Sequence, residues 1–390
     1  MRKKINILGW LKNIAVSPFT YAREHHQPDF ILIGALGMII VFGLMMLSSA
    51  SSVEAYQKFG DSYYFFKHQL TNGFLPGLVA FFIAAQFDYR NYRKLAFWAM
   101  LGSVGLLLLV LIPGIGFSYG KEAQSWINLG LFSFQPTEVV KLAFLIYLAA
   151  WLEKKGEHAV KDFQYGFLPF IFSLGLIVML VMAQPDLGTL LIIVAISLIV
   201  YFVAGGAGKH IAMVILGGLL LVFIAVQIAP YRMGRLTAFF NPGIDQQGIG
   251  YHINQAKIAV GSGGILGLGI GKSRQKFNYL PEVYGDSIFA IIAEEMGFIF
   301  CIILLLLYLT VGIRGFKISR ASPDDFGKFL SLGIASWICV QAFINISTMI
   351  GLFPLTGIPL PFISYGGTSL VVLFFAAGIL VNISKQTRKI

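Results

Sequence analysis

Charged residues are scarce in this sequence, and that scarcity decides its class. Only 12% of the 390 residues are Asp, Glu, Lys or Arg, whereas 57% are hydrophobic and the mean hydropathy is +0.78. An average soluble domain carries about 25% charged residues. The composition therefore excludes an ordinary soluble protein. It predicts a chain that spans a membrane, where every backbone N–H and C=O must be bonded within the protein.

Cysteine and histidine are also scarce, with two and six residues. Cys301 and Cys339 both lie in apolar runs, so the sequence predicts no disulfide framework. No histidine pair and no carboxylate cluster has the spacing of metal ligands, and we predict no metal site. The sequence shows no repeat of about 20–50 residues. A single polytopic domain is therefore expected.

Apolar runs long enough to cross a bilayer as helices recur along the whole chain. We expect ten spans, at about 30–48, 68–86, 94–112, 135–152, 166–183, 187–203, 210–228, 286–311, 329–348 and 367–384. The prediction is an all-α polytopic membrane protein. Its transmembrane domain (30–384) lies between a basic N-terminal tail (1–29) and a short C-terminal tail (385–390), and an even number of spans places both tails on one side.

The basic residues indicate the orientation. If the N-terminus is cytoplasmic, most of the 29 Lys and Arg residues fall on cytoplasmic segments, as the positive-inside rule requires. The prediction is N-in, C-in. Membrane anchoring then explains the formal net charge of +11, and no nucleic-acid partner is expected.

One long, charged and irregular loop, residues 229–286, lies outside the cytoplasm between helices 7 and 8 in this topology. Its cations are Arg232, Arg235, Lys257, Lys272, Arg274 and Lys276. Long loops cross membranes regardless of charge, which would make these cations incidental. Alternatively they hold an anion such as a phosphate or diphosphate, for which Arg supplies a bidentate fork and Lys a point charge.

The middle of this loop shows two further patterns. Apolar residues at helical spacing over 249–260 predict a short interfacial helix. The glycines of 261–271 follow, and they permit tight turns or the close approach of a ligand. No strand precedes them, so the pattern does not indicate a nucleotide-binding fold.

Ionisable residues at membrane depth are costly, so each is a functional candidate. Glu138 and Lys141 share one helical face and can neutralise each other, and Asp186 precedes the sixth span. Their structural alternatives are a packing ion pair and an N-cap. Asp286 opens the eighth span, either as an N-cap or as a general base beside the cationic loop.

Two more features complete the outer side. Glu294 and Glu295 lie two to three turns into the eighth span, and at least one must face a cation or donor inside the protein. Residues 353–367 are apolar but contain three prolines and three glycines. Such backbone is tolerated at membrane depth only where protein covers it or where it lines a cavity. We predict a re-entrant or lid segment, with a rigid structural cap as the alternative.

Several motifs together carry a family resemblance. Residues 357–369 read GIPLPFISYGGTS, and the other motifs are SWI at 125–127, FQPTE at 134–138 with Lys141, QPDLGT at 184–189, and YLPE at 279–282 leading to Asp286. Together they closely resemble the SEDS family of bacterial shape, elongation, division and sporulation proteins, which includes FtsW, RodA and SpoVE. Stretches 47–52 and 235–239 are more similar to the FtsW division branch than to the RodA elongation branch.

The resemblance implies a ten-helix peptidoglycan glycosyltransferase that polymerises lipid II on the outer face of the bacterial cytoplasmic membrane, at the division septum. It also implies a class B penicillin-binding protein as transpeptidase partner, together with other divisome proteins. The family's essential aspartate corresponds to Asp286. Its cavity residues correspond to Glu138, Lys141 and Asp186.

One departure from the family pattern concerns the residues before the aspartate. The family often reads His-Thr-Asp where this chain has Tyr284, Gly285 and Asp286. Whatever the His and Thr contribute is therefore missing here or supplied from elsewhere in the chain.

The implied reaction defines a role for each candidate. Asp286 would take the proton of an attacking sugar hydroxyl, with Glu282 near enough in sequence to assist. The leaving diphosphate would be held by cations, for which the candidates are Arg232, Arg235, Lys272, Arg274 and Lys276, with Lys141 below them. No cofactor is implied, although a divalent cation such as Mg²⁺ or Mn²⁺ accompanying the diphosphate is an open alternative.

Other functions also fit these residues. A lipid II flippase or other transporter would use broken apolar segments and an interior ion pair. A RodA-type elongation polymerase would perform the same chemistry at another place in the cell. A non-catalytic division scaffold would have no need for the loop cations or for Asp286.

Overall fold

The computed structural model describes residues 27–117, 125–128, 133–228, 230–241 and 248–387. The predicted tails lie mostly outside the described residues, which include only positions 27–29 of the first tail and 385–387 of the second.

The described residues are mostly helical, as predicted. The helices are α1 (Phe30–Phe59), α2 (Tyr64–Gln69), α3 (Leu75–Gln86), α4 (Arg90–Leu111), α5 (Pro136–Lys161), α6 (Leu168–Met182), α7 (Leu187–Val203), α8 (Gly208–Ile228), α9 (Pro230–Phe240), α10 (Ile249–Ser262), α11 (Ile288–Ala321), α12 (Asp325–Met349) and α13 (Gly367–Ser384). Wide π-helical turns join α2 to α3 (Leu70–Phe74) and precede α6 (Phe163–Phe167). Each predicted span lies on one of these helical segments.

Their composition identifies a multi-pass membrane protein. Within the described residues, six helical stretches are long and apolar enough to cross a membrane: Phe30–Phe59, Arg90–Leu111, Phe163–Met182, Ile288–Ala321, Asp325–Met349 and Gly367–Ser384. Two shorter apolar helices cover Leu187–Val203 and Gly208–Ile224. Helices α12 and α13 form the centre of the bundle, with most of their residues buried, while α1 and α4 expose large apolar side chains around it.

Both ends of the helical domain lie at the same face of the bundle. Asp29, just before α1, accepts a 2.7 Å ion pair from Arg314 of α11. Its backbone N–H also donates to the hydroxyl of Ser384, the last residue of α13, at 3.2 Å. An even number of spans requires this arrangement. The orientation of this face towards the cytoplasm stays a prediction from the basic residues.

A small sheet precedes α5, and the sequence pattern does not predict it. Strands β1 (Gly116–Phe117), β2 (Trp126–Asn128) and β3 (Ser133–Phe134) pair antiparallel in that order. They are too short to show the alternation of apolar and polar residues that identifies a strand. The sheet leads the chain into α5 and therefore helps to fix the start of the helix that carries Glu138.

Helix α11 is broken where it meets the glycine-rich segment. Gly297 has φ 76° and ψ −178°, so the carbonyls before it and the N–H groups after it lose their helical partners. Backbone bonds from the segment replace them: Leu268 N to Glu294 O (3.0 Å), Gly269 N to Glu295 O (2.9 Å), Phe298 N to Gly264 O (2.9 Å) and Ile299 N to Ile265 O (3.3 Å). The glycines thus allow close approach to a helix backbone.

This packing predicts that an alanine substitution destabilises the protein much more at Gly267 than at Gly271, although both glycines have a φ of +81°. A Cβ at Gly267 would lie against the backbone of Glu295 and Met296, whereas one at Gly271 would meet nothing within 4 Å. Gly271→Ala should cost about 1–2 kcal/mol, the strain of a left-handed alanine. Gly267→Ala should cost about 2 kcal/mol more, because the chain must shift. Unfolding in mild detergent measures both, and equal effects would contradict this account of the break.

The proline segment, residues 353–366, is irregular as predicted and is covered by helices. Its apolar side chains from Ile358 to Ile363 are mostly buried, with Leu360 and Ile363 each 1% exposed, whereas Phe353 at its start is exposed. Side chains from three helices satisfy its carbonyls: Gln69 donates to Ser364 O (3.2 Å), Tyr308 to Pro361 O (2.6 Å), Gln341 to Pro359 O (2.9 Å) and Asn345 to Ile358 O (2.8 Å). Irregular backbone is stable at this depth because its polar groups have partners.

Candidate active site

Asp286 lies in the outer turn, residues 281–287, immediately before α11. The turn is closed by backbone bonds from Gly285 and Ser287 to the carbonyl of Glu282, at 2.9 and 3.2 Å. Ser287 is the N-cap residue of α11 but makes no side-chain cap bond. The cap role considered for Asp286 is therefore not what the structure shows. Its carboxylate is half-buried and faces the proline segment, where a Cβ at Gly357 would lie 3.9 Å from Asp286 Oδ2.

The surroundings of Asp286 change its acidity. Burial raises the pKa of Asp286 to about 6, against the opposing effects of a hydrogen bond from Ser287 and the positive charge of Arg235. A catalytic base works best with a pKa near the operating pH. Asp286 is therefore a carboxylate that is ionised at neutral pH yet basic enough to take a proton.

Helices α9 and α10 bring two residues of the long loop to this carboxylate. Arg235 of α9 lies near Asp286, and its guanidinium Nη1 is 3.4 Å from the carbonyl of Leu355. His252 of α10 is buried, with Nε2 at 2.6 Å from the hydroxyl of Ser287. The short helix predicted over 249–260 is confirmed: it is α10, Ile249–Ser262.

Asn345 of α12 fixes the main chain of the site. Its side-chain amide donates to the carbonyl of Asp286 at 2.7 Å and to the carbonyl of Ile358 at 2.8 Å. One buried side chain thus connects the outer turn to the proline segment. Its Oδ1 is buried and has no hydrogen-bond partner.

A second polar group of α12 connects this region to the buried ion pair. Lys141 donates to Glu138 at 2.7 Å and to Gln341 Oε1 at 3.1 Å, and its ammonium lies 4.9 Å from the ring centroid of Trp337. Gln341 also donates to the proline segment at Pro359. Glu138 and Lys141 are both buried, and Glu138 Oε2 has no partner. The predicted pairing is confirmed. The hydrogen bonds of this pair reach Gln341, which lies one helical turn before Asn345 on α12.

Asp186 caps α7, as its structural alternative proposed. Its carboxylate accepts the backbone N–H of Thr189 at 2.9 Å. The charges of Lys141 and Glu138 both act on it, so the three predicted cavity residues do lie in one region.

The predicted loop cations separate into different environments. Lys276 is 4% exposed and forms a 2.9 Å ion pair with Glu295, which also accepts a bond from Ser49 at 2.7 Å. Its positive charge is already neutralised, which removes the basis for expecting it to hold a diphosphate. Lys272 and Arg274 are exposed. The side chain of Arg232 lies outside the described residues.

Both glutamates of α11 are buried, and both bind the segment that carries these cations. Glu295 takes Lys276, and Glu294 accepts bonds from the backbone N–H groups of Arg274 and Gln275, at 2.9 and 3.4 Å, and from the hydroxyl of Ser273. The cation predicted to face this pair is therefore Lys276. Glu294 lies six residues beyond Ile288, the first residue of α11, which is a rise of roughly 9 Å. It therefore anchors this segment away from Asp286, which precedes the helix.

Glu282 opens the outer turn with a φ of 52°. Its side chain is exposed, but partial desolvation by its neighbours raises its pKa, and the negative charges of Asp286 and Glu54 raise it further. Two carboxylates in one turn therefore repel each other. Together, Asp286 and Glu282 are the only predicted site acids that the described residues place in the outer turn.

Four residues of the site escape the sequence analysis: His252, Ser287, Gln341 and Asn345. A signal was present for two of them. Gln341 and Asn345 are polar residues four positions apart in an apolar helix, which puts them on one face. No local pattern marks His252 or Ser287, because they meet across the loop.

The described part of the chain holds no group of three or more His, Cys, Asp or Glu side chains that could bind a metal ion. A divalent cation would therefore take most of its ligands from a bound diphosphate and from water.

Comparison with known proteins identifies the family. The family model for FtsW, RodA and SpoVE, described as a cell cycle protein, matches residues 30–389. Stage V sporulation protein E of Bacillus subtilis is 42% identical over 362 residues, covering 93% of this chain and 98% of that protein. The probable peptidoglycan glycosyltransferase FtsW of Geobacter sulfurreducens is 38% identical over 366 residues, covering 94% and 97%.

Solved structures have the same fold. A chain of a peptidoglycan synthase complex, described for its coordination of polymerization and crosslinking, has a TM-score of 0.75 at 27% identity, covering 92% of this chain and 97% of that one. The rod shape determining protein RodA of Thermus thermophilus has a TM-score of 0.68 at 25% identity, covering 93% and 98%. The chain therefore belongs to the FtsW/RodA/SpoVE family, whose members include peptidoglycan glycosyltransferases.

Proposed function

We propose that this chain is a peptidoglycan glycosyltransferase that polymerises lipid II on the outer face of the bacterial cytoplasmic membrane. The observation that carries the proposal is a half-buried carboxylate, Asp286, which faces the proline segment at the start of a membrane helix and has Arg235 nearby. The relative from G. sulfurreducens, named a probable peptidoglycan glycosyltransferase, supports this chemistry.

The reaction joins two lipid-linked sugars. The 4-hydroxyl of one sugar attacks the anomeric carbon of the other, so that a new C–O bond forms as the bond to the diphosphate oxygen breaks. Polyprenyl diphosphate leaves with the bonding electrons, and Asp286 takes the hydroxyl proton. General base catalysis of this kind contributes about 10²–10⁴-fold. Direct displacement inverts the anomeric carbon.

Cations of the long loop would stabilise the leaving diphosphate. Arg235 is the best placed of them, because its charge reaches Asp286. Lys272 and Arg274 are exposed and can meet a headgroup from the solvent side. Lys276 and Lys141 have buried carboxylate partners, so we assign them to the framework.

The pKa of Asp286 predicts the pH dependence of the reaction. A base must be ionised to act, and burial raises the pKa of Asp286 from its ordinary 3.8 to about 6. Polymerisation should therefore fall as the pH is lowered through about 6, with tenfold loss per unit below it. Initial rates with lipid II between about pH 5 and pH 8 measure this limb. A rate that stays constant down to about pH 4.5 would exclude Asp286 as the titrating base.

The cellular role is a finer part of the proposal. Similarity to FtsW and to stage V sporulation protein E supports synthesis at a division or sporulation septum, with RodA-type elongation as the alternative. A relative of the same fold belongs to a synthase complex. We accordingly propose a class B penicillin-binding protein as the transpeptidase partner, among other divisome proteins.

Purified full-length protein in detergent tests the enzyme against the flippase. Detergent micelles have no two sides, so transport has no meaning there, whereas polymerisation gives long glycan products from lipid II. Absence of glycan, with and without the transpeptidase partner, would favour transport. The same assay with EDTA, Mg²⁺ or Mn²⁺ tests for a divalent cation.

A further inference from the structure

A hydroxyl and an imidazole stand behind the Asp286 carboxylate. Ser287 Oγ donates to Asp286 Oδ1 at 3.3 Å, and His252 Nε2 lies 2.6 Å from Ser287 Oγ. Ser287 is 0% exposed and His252 is 8% exposed, so solvent does not replace these bonds. Neither residue touches the reacting groups in the mechanism above.

The chemistry of the three groups fixes the direction of the bonds. An ionised carboxylate can only accept, so the single hydroxyl proton of Ser287 must point to Asp286. Ser287 Oγ is then an acceptor for His252, which must carry its proton on Nε2. Burial and then the charge of Arg235 lower the pKa of His252 to about 4, so the ring is neutral at pH 7 and has one such proton.

We propose that His252 and Ser287 are positioning residues that hold Asp286 as an oriented, ionised carboxylate ready to accept a proton. The inference rests on the proposed role of Asp286 as the base. It also answers the departure from the family pattern before the aspartate. Where Tyr284 and Gly285 replace His and Thr, an imidazole reaches the site from α10 and a hydroxyl from position 287.

The groups around Asp286 determine in which direction its pKa moves when the Ser287 bond is removed. Burial raises its pKa, and the bond from Ser287 and the charge of Arg235 on α9 lower it. Glu282 of the outer turn is the acidic neighbour of Asp286. The neutral Asn345 of α12 contacts the main chain of Asp286. Removing the hydroxyl bond therefore raises the pKa of Asp286 and moves the acidic limb of the rate profile to higher pH.

The test compares rate profiles of full-length variants with lipid II in detergent. For Ser287→Ala and His252→Leu we expect the acidic limb to move up by about one pH unit, which gives about fivefold slower synthesis at about pH 6 and nearly normal synthesis at about pH 8. His252→Gln should retain the normal limb, because its amide N–H can replace the Nε2–H donor. Ser262→Ala is the matched control, since that hydroxyl donates to the Ala259 carbonyl of its own helix.

The possible outcomes distinguish a failure of this inference from a failure of the proposed glycosyltransferase function. An unchanged limb in both Ser287→Ala and His252→Leu would overturn the inference, as would a loss of equal size at every pH, which a merely structural role would give. Should His252→Leu fail to fold, the smaller Ser287→Ala change decides alone. Failure of the wild type to make glycan would instead defeat the proposed function.

Discussion

Replacing Asp286 with asparagine is expected to reduce glycan synthesis by about 10²–10⁴-fold, the contribution of a general base. Asparagine keeps the shape of the side chain but cannot take the hydroxyl proton. The protein should remain folded, because its main-chain bond to Asn345 and the closed turn do not depend on the carboxylate.

The stability of this variant provides an independent check. A group whose folded-state pKa is raised contributes stability at low pH that is lost as the pH rises through that pKa. Ionised Asp286 is therefore unfavourable for folding at about pH 8, and Asp286→Asn should be at least as stable as the wild type there. Unfolding in detergent measures this alongside the rate.

Asp61→Asn is a matched control for this substitution. Asp61 lies just after α1 and forms an exposed 2.8 Å ion pair with Lys67. An exposed pair of this kind contributes little to stability, and Asp61 has no part in the site. Near-normal synthesis by the Asp286 variant, or equal losses in both variants, would rule out the base role.

Local patterns were sufficient for the helical frame and insufficient for the connections between its parts. Apolar runs fix where helices form, because burial in a membrane depends on length and composition. They predicted α10 as well as the helices of the bundle. They did not predict the break at Gly297, because the backbone groups that it releases bond to residues 26 or 34 positions earlier, in the glycine-rich segment. Such pairings are properties of the packed chain.

The candidate site likewise has residues that the sequence predicts and residues that it does not. Asp286 and the Glu138–Lys141 pair were predictable because a charge in an apolar context is conspicuous. The neighbours that give Asp286 its chemistry come from α9, α10 and α12. Packing between distant parts of the chain brings them to Asp286, and no sequence spacing encodes that packing. Cations were likewise predictable as a group, but only packing shows which of them already has a carboxylate partner.

Lys276 tests most directly whether a loop cation serves a carboxylate partner or the substrate. We expect Lys276→Met to destabilise the protein without raising KM for lipid II. Removal of Lys276 would leave the buried Glu295 charge uncompensated, which costs about 3–5 kcal/mol. The segment bound by Glu294 and Glu295 should loosen with it. A ligand of the diphosphate would behave differently, with a higher KM and unchanged unfolding.

Two companion variants separate these behaviours. Glu295→Gln keeps an acceptor for Ser49 and removes the charge, so Lys276→Met with Glu295→Gln should regain most of the stability lost by Lys276→Met alone. Lys272→Met is the same substitution in the same segment at an exposed position, and it should change the free energy of unfolding by less than about 0.5 kcal/mol. Unfolding in detergent and KM for lipid II are measured for all three. If Lys276→Met unfolds like Lys272→Met but raises KM, Lys276 binds substrate and the ion pair with Glu295 opens to let it do so.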